Sequence, residues 1–241
     1  MLTKSQAIVL HTVKYGESQL IIDMLTEELG RLSFVCHIPK SAKARVKKQF
    51  FQPMTLLNVE FDYRAGSRLQ HFKDVYLGYS YSSIHFNPFK LSITLFLTDF
   101  LRYATRDEQV NRGLFQYITN SMLWLDDCKD NFANFHLVFM MRLSRFVGFF
   151  PNLEDYQEGS CFDLRNGCFC GVAPLHPDYL GPEEAARLLT LMRINYETMR
   201  LFTMSHADRN RCAEVILQYY RLHVPSFPEL KSLDVLKELF A

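Results

Sequence analysis

Hydrophobic and polar positions alternate in short runs over the first third of the chain. Five runs are rich in β-branched and aromatic residues and are separated by turn formers or by a basic connection. They read AIVLHTV, QLIIDMLTE, RLSFVCHI, TLLNVEFDY and RLQHFKDVYL. Five strands between residues 6 and 77, with one long connection after the third, predict a small closed barrel. The five-stranded OB-fold has this size and strand count.

After Pro88 the apolar residues recur with a period near 3.6, which predicts helices. The helical pattern covers the segments 89–105, 113–127, 135–150, 182–202 and 211–224. It stops after Gly148, and residues 149–181 are predicted to form an irregular inserted lobe before Pro182 begins the next helix. The sequence therefore predicts an α+β protein, with an OB-fold β-barrel at 1–80 followed by an α-helical domain at 81–241.

The composition supports a folded protein. Of the 241 residues, 48% are hydrophobic and 22% are charged, which is enough apolar material for a core without disulfides or metal. The opening MLTKSQAIVLHTVKYGES contains only a short apolar run, so we expect neither a signal peptide nor a membrane span. We therefore expect a cytoplasmic protein whose six cysteines are reduced.

Positive charge is concentrated near the N-terminus. Residues 1–80 contain 11 Lys and Arg against 7 Asp and Glu, whereas residues 81–241 contain 16 against 19. Nearly half of the first group lies in one acid-free stretch, which holds Lys40, Lys43, Arg45, Lys47 and Lys48 and leads into Phe50 and Phe51. Such a stretch is often only a solvated loop that discourages edge-to-edge aggregation.

Three features of this basic stretch favour binding of single-stranded nucleic acid. It lacks acids, it connects strands of a candidate OB barrel, and aromatic residues adjoin it. Cations along phosphates combined with aromatic faces under bases are typical of such sites. Adjacent residues of an extended segment point to opposite sides, so at least one of Phe50 and Phe51 is expected in the core.

Two other groups of residues have weaker signals. Cys161, Cys168, Cys170 and His176 have the spacing C-x6-C-x-C-x5-H, which lacks the paired C-x2-C knuckles of a structural zinc site. Buried thiols are the favoured interpretation. Arg142 and Arg145 are three residues apart in a predicted helix and either line a groove for an acidic partner tail or lie on an exposed helix edge.

The sequence contains none of the common contiguous catalytic motifs. There is no phosphate-binding GxxxxGK[ST] loop, no GxGxxG, no GxSxG elbow and no HExxH. The eight histidines are scattered, and the paired carboxylates lie beside turns or helix ends. We therefore expect a protein that is not an enzyme.

Several segments together resemble the RecO family of bacterial recombination and DNA-repair mediators. The stretch AIVLHTVKYGESQLIIDMLTEELGRLSFVCHIPKSAKAR resembles the opening of that family, and FQPMTLLNVEF resembles its next strand. FMMRLSRFVGFFPNL resembles a helix that ends in L-x-x-x-G-x-x-P-x-L, with Gly148, Pro151 and Leu153 at the matching positions. The likeness is dense over residues 6–62 and thinner beyond.

The resemblance implies an OB-fold followed by a helical domain that together bind single- and double-stranded DNA. It also implies annealing of complementary strands and loading of the RecA recombinase onto DNA coated with single-strand binding protein, together with RecR, at the nucleoid. The implied DNA contacts are Arg31, Lys40, Lys43, Arg45, Lys47 and Lys48. Relatives often carry a four-cysteine zinc lobe, but here Tyr156 and Gly159 occupy the first knuckle, so we expect a degenerate lobe without zinc or other cofactor.

Three alternatives stay open at this level. A protein-interaction adaptor would use the barrel to contact another protein and the lysines for solubility. An RNA-binding OB module is compatible with the same residues, because nothing in the sequence identifies a reader of the 2′-hydroxyl. A metal-dependent nuclease or hydrolase would use the cysteine and histidine residues of the lobe between 161 and 176.

Overall fold

The first part of the chain forms a closed five-stranded barrel. A computed structural model describes residues 2–38, 46–106 and 109–239. The strands pair around the barrel in the order β1-β2-β3-β5-β4, with β3 and β5 parallel and the other pairs antiparallel. This arrangement confirms the OB-fold prediction and all five predicted strands: β1 (Leu2–Tyr15), β2 (Gln19–Thr26), β3 (Gly30–His37), β4 (Leu56–Asp62) and β5 (Gln70–Leu77).

Aromatic rings fill the barrel. The Phe34 ring stacks on Phe72 with centroids 4.4 Å apart and meets Phe61 edge-on at 5.0 Å. Phe51 belongs to a short 3-10 helix, Lys48–Phe51, and is only 3% exposed, while Phe50 is half-buried against the same core. The expectation for this pair is confirmed, because Phe51 closes the barrel interior and is not available to a ligand.

Two helices follow the barrel in the same compact unit: α1 (Pro88–Ala104) and α2 (Arg112–Asp127). Asn87 caps α1, since its side chain accepts hydrogen bonds from the backbone N–H groups of Phe89 and Lys90. α1 packs against β1. For that reason Ile8 and Leu10, on the outside of the barrel wall, are each only 2% exposed.

The segment between β5 and α1 is fixed by one buried carboxylate at the end of α2. Asp126 accepts hydrogen bonds from the backbone N–H groups of Ser82, Ser83 and Ile84 at 2.7–3.0 Å, and from both serine hydroxyls. The buried ammonium of Lys90 donates to the Ser83 hydroxyl and to the main-chain oxygen of Asp126. A hydrogen-bonded network therefore fixes the segment between β5 and α1 to the end of α2. Breaking this network is costly because its polar groups are buried.

Within the described residues, the remaining elements are four α-helices, a short 3-10 helix (Met199–Leu201) and a small sheet. They are α3 (Phe135–Leu143), β6 (Cys161–Asp163), β7 (Cys168–Cys170), β8 (Tyr179–Leu180), α4 (Pro182–Arg193), α5 (His206–His223) and α6 (Ser232–Leu239). Contacts divide the chain into two units. The first comprises the residues up to Asp127 with Leu230–Leu236, and the second comprises Cys128–Glu229 with the residues from Lys237. The predicted domains 1–80 and 81–241 stay a prediction. Among the described helices, none combines the length and apolarity needed to cross a membrane.

Three helices, α3, α4 and α5, differ from the predicted extents, and α5 begins at His206 instead of residue 211 because the Ser205 side chain caps it there. α3 ends at Leu143 instead of reaching residue 150, because the chain turns after Ser144, whose hydroxyl bonds back to the main-chain oxygen of Met141. α4 ends at Arg193 instead of residue 202, where Asn195 and Thr198 exchange side-chain and backbone hydrogen bonds that compete with a helix. α6 was not predicted, since eight residues give little periodic signal.

The lobe at 149–181 is more regular than predicted. It contains the three-stranded sheet β7-β6-β8, and Tyr156 meets Phe169 of β7 edge-on at 5.0 Å. The β6–β7 turn passes close to α5 at Gly167, which has φ +65. A Cβ atom there would stand 2.6 Å from the hydroxyl of the buried Tyr219, which itself donates a hydrogen bond to the main-chain oxygen of Phe149.

We expect Gly167→Ala to lower the free energy of unfolding by about 2 kcal/mol, the order of cost of a strained left-handed residue. The added methyl group must also displace the Tyr219 hydroxyl. Chemical denaturation followed by circular dichroism measures the change. Gly171→Ala is the matched control, because no atom lies within 4 Å of its Cβ position. If both variants lose the same free energy of unfolding, the backbone conformation and close contact at Gly167 do not contribute to stability.

Candidate nucleic-acid interface

An open groove of about 210 Å³ lies at the mouth of the barrel, between the β1–β2 turn and the 3-10 helix. Lys14 at the end of β1 and Lys48 at the start of the 3-10 helix both line it, with Leu20 and Ile38 as its apolar part. Ile38 is held there by a 2.8 Å hydrogen bond from its backbone N–H to the main-chain oxygen of Ser18. The remaining lining residues are Glu17, Ser18 and Gln19.

The lysines of this mouth lack acidic partners. Within the described ranges, Lys14, Lys47 and Lys48 are exposed and none of them forms an ion pair. Lys4, also on β1, shows the contrast, because its ammonium lies 2.7 Å from the Glu60 carboxylate. Two lysines against the single acid Glu17 in the lining, with Lys47 next to Lys48 in the chain, leave a net positive charge at the groove that attracts polyanions.

The structure describes only part of the predicted basic site. Lys48 lines the groove and Lys47 precedes it in the chain, whereas Lys40, Lys43 and Arg45 fall outside the described residues. Ile38, which directly precedes the undescribed segment, lines the groove, and so does Lys48, which lies shortly after that segment.

Lys14 was not among the predicted contacts. It lies in the run AIVLHTVKY, next to the polar turn that follows Tyr15. The sequence signal for this position is a lysine at the end of an apolar strand, where the chain reaches the mouth of the barrel. Arg64, Arg68 and Lys73 are further exposed cations of the barrel that were not among the predicted contacts. They are exposed on the β4–β5 connection and on β5, which belong to the OB-fold regions that bind oligonucleotides in other proteins.

Arg31 has a different environment from the predicted lysines. It is half-buried on β3, and its guanidinium donates a hydrogen bond to the main-chain oxygen of Arg102 in the last turn of α1. A cation is favourable at this end of a helix because the final carbonyl groups carry partial negative charge. This contact gives Arg31 a structural role, and its role in DNA binding stays a prediction.

Arg142 and Arg145 contact different groups. Arg142 donates from Nε to the main-chain oxygen of Ile194, the residue that follows the end of α4, at 3.1 Å. Arg145 follows the end of α3, and its guanidinium lies 4.1 Å from the centre of the Phe150 ring. The two side chains therefore do not present one continuous helical face, and the proposed groove for a partner tail stays a prediction.

The cysteines of the lobe lie on the β6–β7 hairpin. Cys161 pairs with Cys170 across the strands, and Cys168 pairs with Asp163, whose carboxylate lies 3.4 Å from Nε2 of His176. Burial raises the pKa of the Cys168 and Cys170 thiols. Among the residues that the structure describes, no three metal-binding side chains are close enough to hold an ion, so this lobe does not fit the zinc site of the family. The expectation that the protein has no zinc stays a prediction.

Comparison with known proteins covers nearly the whole chain. Residues 1–81 match the family model described as Recombination protein O N terminal, and residues 85–234 match Recombination protein O C terminal. The chain is 54% identical to the DNA repair protein RecO of Bacteroides fragilis and 52% identical to that of Phocaeicola vulgatus, over 241 residues and the full length of each. It is 35% identical to the DNA repair protein RecO of Azobacteroides pseudotrichonymphae over 240 residues. These matches extend over both halves of the sequence, and the chain belongs to the RecO family.

Proposed function

We propose that the protein is a mediator of DNA repair and homologous recombination. It binds single- and double-stranded DNA, anneals complementary strands, and assists RecA loading onto DNA coated with single-strand binding protein, together with RecR. The observation that carries this proposal is the set of unpaired lysines at the barrel mouth, in a chain whose relatives are named DNA repair proteins. The work takes place in the cytoplasm, at the nucleoid.

Annealing requires no covalent chemistry. Two strands repel each other through their phosphates, so a cationic surface that neutralises part of both charges lowers the barrier to their encounter. The lysines act as counterions to the phosphates and do not read base edges, so binding is expected to tolerate any sequence. A non-enzymatic role accords with the lack of catalytic motifs.

The proposed contacts extend beyond the groove. DNA contacts the predicted basic residues and also Lys14 at the barrel mouth. Two arginines of the helical part bind the acidic tail of a partner protein. The DNA contacts are Lys14, Arg31, Lys40, Lys43, Arg45, Lys47 and Lys48, and the tail contacts are Arg142 and Arg145.

Annealing of two complementary oligonucleotides, followed by fluorescence, tests the proposal. We expect Lys14→Ala/Lys48→Ala to slow annealing about tenfold, because each lost phosphate contact weakens strand binding and neither lysine stabilises the barrel through an ion pair. The assay is run with bare strands and with strands coated by single-strand binding protein.

The control variant removes the same charge elsewhere. Lys4→Ala/Lys129→Ala changes one ion-paired and one exposed lysine outside the groove, and we expect it to anneal like the wild type. If both variants are impaired equally, net charge and not the groove determines the rate. If the wild type itself does not anneal but forms a tight complex with a protein partner, the adaptor alternative replaces this proposal.

A further inference from the structure

The last two residues of β1 project to opposite sides of the barrel wall. Neighbouring residues of a strand alternate in direction, and directly paired residues of adjacent strands share a side. Lys14 pairs with Leu20, which is 5% exposed and lines the groove at the mouth. Tyr15 pairs with Gln19 and is 58% exposed, so its ring stands on the outer surface next to the mouth.

The outer surface beside Tyr15 is formed by two rows of paired residues. One row runs from Tyr15 through Gln19 to His37 on β3. The next row crosses four strands and ends at the exposed His71 of β5. Its members are Val13, Ile21, Val35 and His71.

These rows combine apolar area with nitrogen-bearing side chains and contain no acid. Val13 is 45% exposed, and Ile21 and Val35 are partly exposed beside it. Two acids lie near this face: Glu17 is exposed in the turn that joins Tyr15 to Gln19, and Asp23 lies in the following row, where it accepts a hydrogen bond from the Ser33 hydroxyl. The surface suits a flat, weakly polar ligand, whereas phosphate groups are attracted to the lysines of the neighbouring groove.

An exposed aromatic ring is the element that the basic segment itself lacks. Phe51 is buried in the barrel and Phe50 packs against the same core. Tyr15 is an exposed ring directly beside a groove lysine. Bases of single-stranded nucleic acid stack on such rings whatever their sequence, while the phosphates follow the cations.

We propose that the outer surface formed by Val13, Tyr15, Ile21, Val35 and His71 binds the unstacked bases of single-stranded DNA, with Tyr15 as the stacking residue. The phosphates of the same strand lie along the groove at Lys14 and Lys48, which adjoins the base surface at Gln19, the residue paired with Tyr15. Bases of a duplex already stack on each other and cannot reach Tyr15. The surface therefore confers preference for single strands, and this inference rests on the proposed DNA-binding function.

Three variants test the assignment by fluorescence anisotropy, with a labelled single strand and a duplex of the same sequence at one salt concentration. We expect Tyr15→Ala to weaken single-strand binding about tenfold and to leave duplex binding unchanged, since stacking contributes about this factor for one base. Tyr15→Phe keeps the ring and is expected to bind like the wild type. Lys14→Ala removes a phosphate contact and is expected to weaken both complexes alike.

The outcomes separate the two proposals. If Tyr15→Ala weakens single-strand and duplex binding equally, or weakens neither, the base surface is wrong, whereas an effect of Lys14→Ala still supports the groove. If the wild type binds neither form, the proposed function fails and this inference fails with it. Equal thermal unfolding temperatures of the variants exclude a folding defect, because Tyr15 is mainly exposed.

Discussion

Replacing Asp126 with alanine is expected to lower the free energy of unfolding of the first unit by about 3 kcal/mol or more. The change leaves the backbone N–H groups of Ser82, Ser83 and Ile84 without their acceptor. A buried donor without a partner costs about 1–3 kcal/mol, and bonds to a charged acceptor are at the upper end. It also removes the carboxylate from a site that contains the buried ammonium of Lys90.

The same network gives a pH dependence with a defined sign. Burial of the Asp126 carboxyl raises its pKa, but the hydrogen bonds from Ser82, Ser83 and Ile84 outweigh burial and hold the pKa below its ordinary value. A carboxyl group with a lowered pKa stabilises the folded state at pH values above its unfolded pKa. That contribution is lost as the pH falls through the folded pKa. We expect the wild type to lose stability in acid and Asp126→Ala to lose less.

The measurement uses a probe inside the same helix. Trp124 is the single tryptophan of the chain and lies two residues before Asp126 in α2. Its fluorescence during urea unfolding reports on this unit. Asp127→Ala is the matched control, because that neighbouring carboxylate is exposed, and we expect a change within about 0.5 kcal/mol. If Asp126→Ala behaves like Asp127→Ala, the network does not stabilise the junction.

Salt is expected to weaken single-strand binding about 100-fold between 50 and 200 mM. Five neutralised phosphates, at roughly −0.7 each, give a log–log slope of about −3.5. Changing Lys40, Lys43, Arg45, Lys47 and Lys48 to alanine should remove this contribution, leave only the smaller slope of the remaining contacts at Lys14 and Arg31, and reduce affinity at low salt by about two orders of magnitude. Titration of a labelled oligonucleotide at several salt concentrations gives the slope.

A charge-conserving variant separates charge from side-chain shape. Exchanging Lys and Arg at the same five positions retains every cation, so counterion release and the slope should be unchanged. If this variant binds as weakly as the alanine variant, the five residues act through specific geometry and the counterion mechanism is wrong. A wild-type slope near zero contradicts the DNA site itself.

The barrel was predictable because each of its strands has a local signal in the sequence. Alternation, β-branched residues and turn formers place all five strands within two residues of their observed limits at nearly every end. The helix ends were less predictable, since they depend on side-chain bonds such as those of Asn195 and Thr198, which compete with helix formation only in context. The small sheet of the lobe is stabilised by packing of Phe162 and Phe169, which short strands do not reveal.

The site was predictable in charge but not in detail. A run of cations without acids is visible in the sequence, whereas pairing is a property of the fold: Lys4 and Lys14 look alike on one strand, yet only Lys4 has a carboxylate beside it. The direction of Tyr15 depends in the same way on its register with Gln19. No composition or spacing rule identifies either feature.

The burial of Ile8 and Leu10 beneath α1 bears on how this fold was assembled in evolution. An OB barrel is often regarded as a module that recombination of genes moves between proteins. Here a barrel that ended at residue 80 would expose both side chains to water and lose the hydrogen bond from the Tyr81 hydroxyl to the main-chain oxygen of Met54. The smallest piece that keeps these side chains buried is therefore the barrel together with its covering helix, so a gene fragment that encodes the barrel alone would lack part of its own core.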